Sequence, residues 1–181
     1  MKIIEKGKTI YTSAILSLLN DAEGYIENIE RTWRGDIPIT GISLDAIPWF
    51  GQFSLSLRTS SDYPRNGLRY DSADWEHYDF VSSSTNPKVK EALEYMKYMY
   101  GDESRDKADS SHLHFIACAE ALLDTSVASK LGSLGIKAPE VSDLPIKSSF
   151  EYVVTDPDST ISGNYCDFIV SNRVLSRLRN A

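Results

Sequence analysis

The residues best placed by type and spacing to do chemistry lie in one short stretch, Asp71-Ser72-Ala73-Asp74-Trp75-Glu76-His77-Tyr78-Asp79. Paired carboxylates do general acid and base work when their surroundings hold one protonated and the other ionised. A hydrolase using the carboxylates of 71–79, or those of Asp156 and Asp158, is one reading. The second is a surface for a basic partner, where Trp75 and Tyr78 supply anchoring area and Asp71, Asp74, Glu76 and Asp79 supply complementary charge. The third is structural: a surface turn capped by Asp71 or Ser72, with Trp75 packed inward. Asp62, Asp156 and Asp158 are candidate outlying members of the acidic surface.

Other constellations offer less. His114 and Cys118 fall on one helical face and have the donor types of a metal site. They lack a full tetrahedral set: His112 projects elsewhere on the helix, and the other cysteine, Cys166, is distant in sequence. Cys118 is therefore expected as a small buried apolar residue, and no metal ligand is assigned. No serine occupies a Gly-x-Ser-x-Gly elbow, and Gly132-Ser133-Leu134-Gly135 lacks the lysine of a phosphate loop. Residues 156–162 alternate oxygen-bearing side chains like a calcium loop. However, Ile161 stands where that loop needs glycine, and Asp167 stands where it needs glutamate, so a turn is the better reading. No catalytic residue and no cofactor are expected.

Composition narrows the class. With 19 Lys+Arg against 26 Asp+Glu, the 181-residue chain carries a net charge of −7, which disfavours nucleic-acid binding and suits a basic partner. The same acidity also keeps a chain soluble. The charge is uneven: residues 62–79 sum to −3 and residues 139–170 to −5, while Arg173, Arg177 and Arg179 make the tail positive. Three Trp, ten Tyr and six Phe exclude a disordered tail, and two cysteines exclude a disulfide framework. No apolar run reaches the roughly 20 residues of a membrane span, and the first residues lack the apolar core of a signal peptide. One cytoplasmic domain, residues 1–181, is expected, with no membrane association.

Several elements must position these residues. Ile15, Leu19, Ala22, Ile26, Ile29 and Trp33 form a single stripe and predict a helix over 12–33. Residues 37–44, interrupted by Pro38 and Gly41, read as an edge or irregular strand. Alternation over 49–58 predicts a strand with Trp49, Gly51, Phe53, Leu55 and Leu57 on the buried face and Phe50, Gln52, Ser54, Ser56 and Arg58 on the wet one. Asn66-Gly67 predicts a tight turn leading to a partner strand over 68–70. Asn86-Pro87 opens a helix that stops at Gly101, and an exposed loop over 102–109 follows. A second helix runs from Ser110 or Ser111 to Gly132, and strands are expected over 150–154 and 165–170. Ser171 then caps a last helix burying Val174, Leu175 and Leu178. The class is α+β: a mainly antiparallel sheet packed against an N-terminal helix, two central helices and a C-terminal helix.

This order of elements, with the 50–57 strand, Leu68-Arg69-Tyr70, Ser72-Ala73-Asp74-Trp75-Glu76 and the late 150–154 strand followed by Asp156, resembles a family of small bacterial domains. Members stand as immunity proteins beside polymorphic or contact-dependent growth inhibition toxins. The resemblance implies a cytoplasmic inhibitor that blocks the active site of a cognate toxin, often a basic nuclease domain. It carries over no catalytic residues.

Overall fold

The computed structural model describes residues 2–32, 38–62, 71–82, 86–100, 107–138, 150–156 and 163–179. The chain opens with helices α1 (Lys2–Asp21) and α2 (Glu23–Thr32), then strands β1 (Ile39–Ile47) and β2 (Gln52–Thr59). Strand β3 (His77–Ser82) precedes α3 (Pro87–Tyr100), α4 (Lys107–Leu122) and α5 (Thr125–Ser133). Strand β4 (Glu151–Val153) and α6 (Tyr165–Arg179) follow. The described strands form one sheet in the order β3-β2-β1-β4. The β1–β2 and β2–β3 pairs are antiparallel and β1–β4 is parallel, so the fold is α+β with a mainly antiparallel sheet.

The core lies between one face of this sheet and the helices. Ile42, Leu44 and Ala46 of β1 and Phe53, Leu55 and Leu57 of β2 are buried in one cluster with Tyr11, Ile15, Leu18 and Leu19 of α1 and Phe115, Ala119 and Leu122 of α4. The predicted stripe on the first helix is buried from Ile15 through Ile29; Trp33 lies outside the described residues. The predicted single helix over 12–33 is two, because α1 starts at Lys2 and a turn at Ala22 separates it from α2. The polar residues Lys2, Glu5, Lys6 and Lys8 mask the early start. Tertiary contacts hold it: Tyr95 Oη donates to the Ile3 carbonyl at 3.0 Å, and Lys8 pairs with Asp124 at 2.9 Å. Asp124 also ends the predicted long central helix, since its side chain accepts from the Ser126 N–H at 3.0 Å and caps α5.

The edge or irregular strand expected over 37–44 is irregular, with a register shift between Ile39 and Gly41, but it is central and not at an edge. Pro38 stays outside the strand and its carbonyl accepts from the Ser60 N–H at 3.0 Å. Gly41 marks a close approach, since a Cβ there would stand 3.0 Å from the Glu151 carbonyl oxygen of β4. The expected wet face of β2 is also corrected: Ser54 and Ser56 are fully buried, and Trp49 and Phe50 leave the strand in a 3₁₀ turn, Pro48–Phe50. The predicted turn at Asn66-Gly67 and the strand over 68–70 lie outside the described residues; the described strands flanking β2, both antiparallel to it, are β1 and β3. Of the predicted loop over 102–109, the part from Lys107 onward is helical.

The predicted strand over 165–170 is the start of α6, and Ser171 is an exposed residue within that helix. The cause is Asn164, which is 5 % exposed. Its Oδ1 accepts from the Cys166 N–H and the Val154 N–H, both at 3.0 Å, and its Nδ2 donates to the Tyr152 carbonyl at 2.7 Å. One side chain caps the helix and clasps it to the end of β4. Leu175, expected to be buried, is 51 % exposed. Because three bonds end on a buried amide, Asn164→Ala is expected to cost about 2 kcal/mol or more in denaturant unfolding, whereas Ser171→Ala changes little.

Candidate functional site

The 71–79 stretch forms a ledge at the β3 edge of the sheet, and a buried carboxylate holds it there. On the sheet face opposite the core, Ser43 and Asp45 of β1 stand beside Ser54 and Ser56 of β2, with Ser43 opposite Ser56 and Asp45 opposite Ser54. Asp45 is 8 % exposed. Its Oδ1 accepts from Ser43 Oγ at 2.9 Å and from Ser72 Oγ at 2.6 Å, while Oδ2 accepts from Ser56 Oγ at 2.5 Å. Burial pushes the Asp45 carboxyl above its ordinary range; the three hydroxyl donors pull it back in part, and the neighbouring Asp79 charge adds to the rise.

Both ends of the ledge depend on this group. At its start, Ser72 enters a 3₁₀ turn, Ser72–Asp74, capped as expected by Asp71, whose side chain accepts from the Ala73 N–H. Toward its end β3 bulges: His77 pairs with Leu57 and Val81 with Leu55, so Tyr78, Asp79 and Phe80 stand opposite Ser56 alone. Asp79 takes a left-handed conformation with φ of 47°, and its N–H donates to Ser56 Oγ at 2.9 Å. The chain of bonds therefore runs from Asp79 through Ser56 to Asp45.

Asp62 supplies a second clasp. Its Oδ2 accepts from the Thr59 N–H at 2.6 Å and from Thr59 Oγ1 at 3.0 Å, and its Oδ1 accepts from the Glu76 N–H at 3.0 Å. Trp75, 7 % exposed, packs inward as the ledge's anchor. Glu76 and Asp79 face solvent, and Tyr78 is 39 % exposed, its hydroxyl accepting from Gln52 Nε2 at 3.2 Å. Asp74 Oδ2 is buried without a hydrogen-bond partner among the described residues. On the helical side of β3, Tyr25 of α2 stacks on Phe80 at 5.4 Å and its hydroxyl bonds His77 Nδ1 at 3.1 Å.

The structure thus gathers Asp62, Asp71, Asp74, Trp75, Glu76, Tyr78 and Asp79 in one corner, and divides their work. Asp62, Asp71 and Trp75 hold the ledge; Glu76, Tyr78 and Asp79 are what it presents. Asp156 follows β4 at the opposite edge of the sheet and does not join them. Asp158 lies outside the described residues. Sequence reasoning missed Asp45 and Ser43, because 37–44 reads as an apolar run that ends before Asp45, and it misplaced Ser56, because alternating polar residues in a strand read as a wet face. The available signal was a carboxylate in register with serines on the neighbouring strand.

A second buried polar node belongs to the core. His114 is fully buried, and its Nε2 lies 3.1 Å from the Ala46 carbonyl oxygen, which can only accept, so Nε2 carries the proton. The neutral Nδ1 then accepts from Tyr11 Oη at 3.0 Å. Both ring nitrogens are occupied in joining α4 to β1 and α1, and Cys118 beside them is fully buried. Among the described residues, no group of three or more His, Cys, Asp or Glu is arranged to hold a metal ion.

These nodes respond oppositely to acid. Burial lowers the His114 pKa from 6.5 to about 4. The unfolded chain therefore takes up this proton first, and stability falls as pH drops through that window, by roughly 3 kcal/mol in all. His114→Gln, which keeps a donor and an acceptor, is expected to flatten that part of the stability–pH curve in denaturant melts. Asp45, with its pKa raised by burial, gains stability on protonation, and its removal acts through lost hydrogen bonds instead. Asp45→Ala leaves three buried hydroxyls without an acceptor and is expected to cost about 3 kcal/mol, with Asp45→Asn milder. Comparison with known proteins finds no matching family model, no matching curated protein and no matching solved structure.

Proposed function

We propose that this chain is a cytoplasmic immunity protein that binds a cognate toxin through a basic domain and covers its active site. The observation that carries this reading is the ledge: Glu76, Tyr78 and Asp79 face solvent on a segment fixed from below by Asp45, Asp62 and Trp75. A rigid platform of acids and an aromatic loses little entropy on docking and attracts a basic surface at long range. The net charge of −7 acts in the same direction. The carboxylates of Asp62 and Asp71 are engaged with backbone N–H groups, which suits a scaffold better than proton transfer. No described helix is long and apolar enough to cross a membrane.

The test asks whether a neighbouring reading frame encodes a basic toxin domain, and uses that domain. The native chain is expected to form a 1:1 complex with it and to abolish its activity. Glu76→Lys with Asp79→Lys is expected to slow association about tenfold or more at low salt, with the difference shrinking as salt rises. Absence of a complex, or association indifferent to both charge reversal and salt, refutes the reading.

A further inference from the structure

The ledge is tied to the sheet through hydroxyl groups, and the group that receives them can take up a proton. Asp45 Oδ1 accepts from two serines, Ser43 at 2.9 Å and Ser72 at 2.6 Å, whereas Oδ2 accepts from Ser56 alone, at 2.5 Å. Ser56 Oγ in turn accepts from the Asp79 N–H at 2.9 Å. With Asp45 ionised, every bond in this chain runs one way: the amide donates to the hydroxyl, and the hydroxyl donates to the carboxylate.

A proton on Asp45 reverses one link. It belongs on Oδ2, the oxygen with a single donor, and a protonated carboxyl oxygen donates. The group facing Oδ2 is Ser56, whose oxygen then accepts from both the carboxyl and the Asp79 N–H. Its lone pairs are filled, and its own proton is left without an acceptor on a fully buried residue. Among the described residues Ser56 Oγ bonds nothing else, so it recovers a partner only by turning. Turning takes its oxygen away from the Asp79 N–H. That amide lies in the β3 bulge, outside the regular ladder, and Asp79 holds a left-handed φ of 47°.

The described charges around Asp45 favour that proton. β1 carries no other charged residue. The cation of β2 is Arg58, which pairs with Glu151 of β4 across Gly41, roughly 13 Å along the strand from Asp45. The ledge brings acids, Asp71, Asp74 and Glu76, and β3 adds Asp79 and the neutral Tyr78. The helices pack on the opposite face of the sheet, where His77 bonds Tyr25 and the Asp156 charge acts on His114. Burial raises the Asp45 carboxyl above its ordinary range, the three hydroxyls oppose the rise, and Asp79 adds to it.

We infer that Asp45 is a proton-operated latch beneath the ledge: ionised, it holds Ser56 where that residue binds the Asp79 N–H, and on taking up a proton it releases the Asp79 end. Folding raises the Asp45 pKa, so its stabilising share is present in acid and is lost as pH rises through the folded value. The fold as a whole therefore gains from the proton while the ledge loses a tie, and the loosening is local. The acidic surface is presented firmly at neutral pH and loosely in acid. The latch is a property of the free chain, so it goes beyond the proposed function and does not depend on it.

The experiment uses the full chain carrying Asp79→Asn, which keeps a residue suited to left-handed backbone and removes that side chain's own titration. NMR follows the Asp45 carboxyl carbon and the hydrogen-exchange protection of the residue-79 amide from about pH 8 to about pH 4.5. Corrected for intrinsic exchange, protection is expected to fall about tenfold or more as Asp45 takes up its proton, with coincident midpoints. Adding Ser43→Ala removes a donor to the carboxylate but no tie to the ledge, and is expected to raise both midpoints together. Adding Asp45→Asn, whose amide donates as the protonated acid does, is expected to leave protection low at every pH. The latch is refuted if the carboxyl titrates while protection stays flat, or if Asp45 remains ionised throughout. It is refuted equally if protection still falls with acid in the Asp45→Asn chain. Failure to find a toxin partner overturns the proposed function and leaves these outcomes unaffected.

Discussion

The Asp45 carboxylate is the constraint on which the functional face depends. A buried carboxylate is costly unless its lone pairs find protons, and here three serine hydroxyls supply them. Each serine comes from a different place: Ser43 from the same strand, Ser56 from its neighbour, and Ser72 from the turn that begins the ledge. The need to satisfy one acceptor thus brings a segment distant in sequence down onto the sheet. Through Ser56 the same group fixes the bulge at Asp79, where the regular ladder is broken and a hydroxyl takes over as acceptor. A left-handed aspartate is tolerated because the bonds on either side hold it.

The two faces of the sheet are organised by different physics. One is apolar, with Ile42, Leu44, Phe53, Leu55 and Leu57 packed on the helices. A polar crosslink within it, Tyr11–His114–Ala46, is complete at both ring nitrogens, so it joins three elements without an orphaned group. The other face is polar, buried at Ser43, Asp45, Ser54 and Ser56, and it is held by hydrogen bonds and the part-buried Arg58–Glu151 ion pair between β2 and β4. Apolar packing tolerates small displacements, whereas short hydrogen bonds to one carboxylate set positions closely. The ledge sits on the face with the tighter control.

Much of the architecture was legible in local pattern. The stripe Ile15, Leu19, Ala22, Ile26 and Ile29, the alternation of Phe53, Leu55 and Leu57, the Asn86-Pro87 helix start and the Asp71 cap all depend on residues within a few positions of each other. The misreadings share one cause. Gly41 has the local pattern of a strand breaker, yet β4 passes close beside it, and Ser54 and Ser56 have the local pattern of a wet face, yet both are buried. The α6 start has the local pattern of a strand because Asn164 gains its weight from Val154 and Tyr152, ten and twelve residues earlier in the chain.

By itself the sequence determined what kinds of residue the ledge contains, their charge, and the class of fold that carries them, because composition and periodicity are properties of neighbours along the chain. Tertiary structure alone decided their roles. Asp62 and Asp71 became clasps, Trp75 an anchor, and Glu76, Tyr78 and Asp79 the presented surface, while Asp156 went to the other edge of the sheet. A carboxylate becomes a clasp or a contact according to which N–H and O–H groups surround it, and those groups arrive from distant segments. Spacing along the chain carries no record of that encounter.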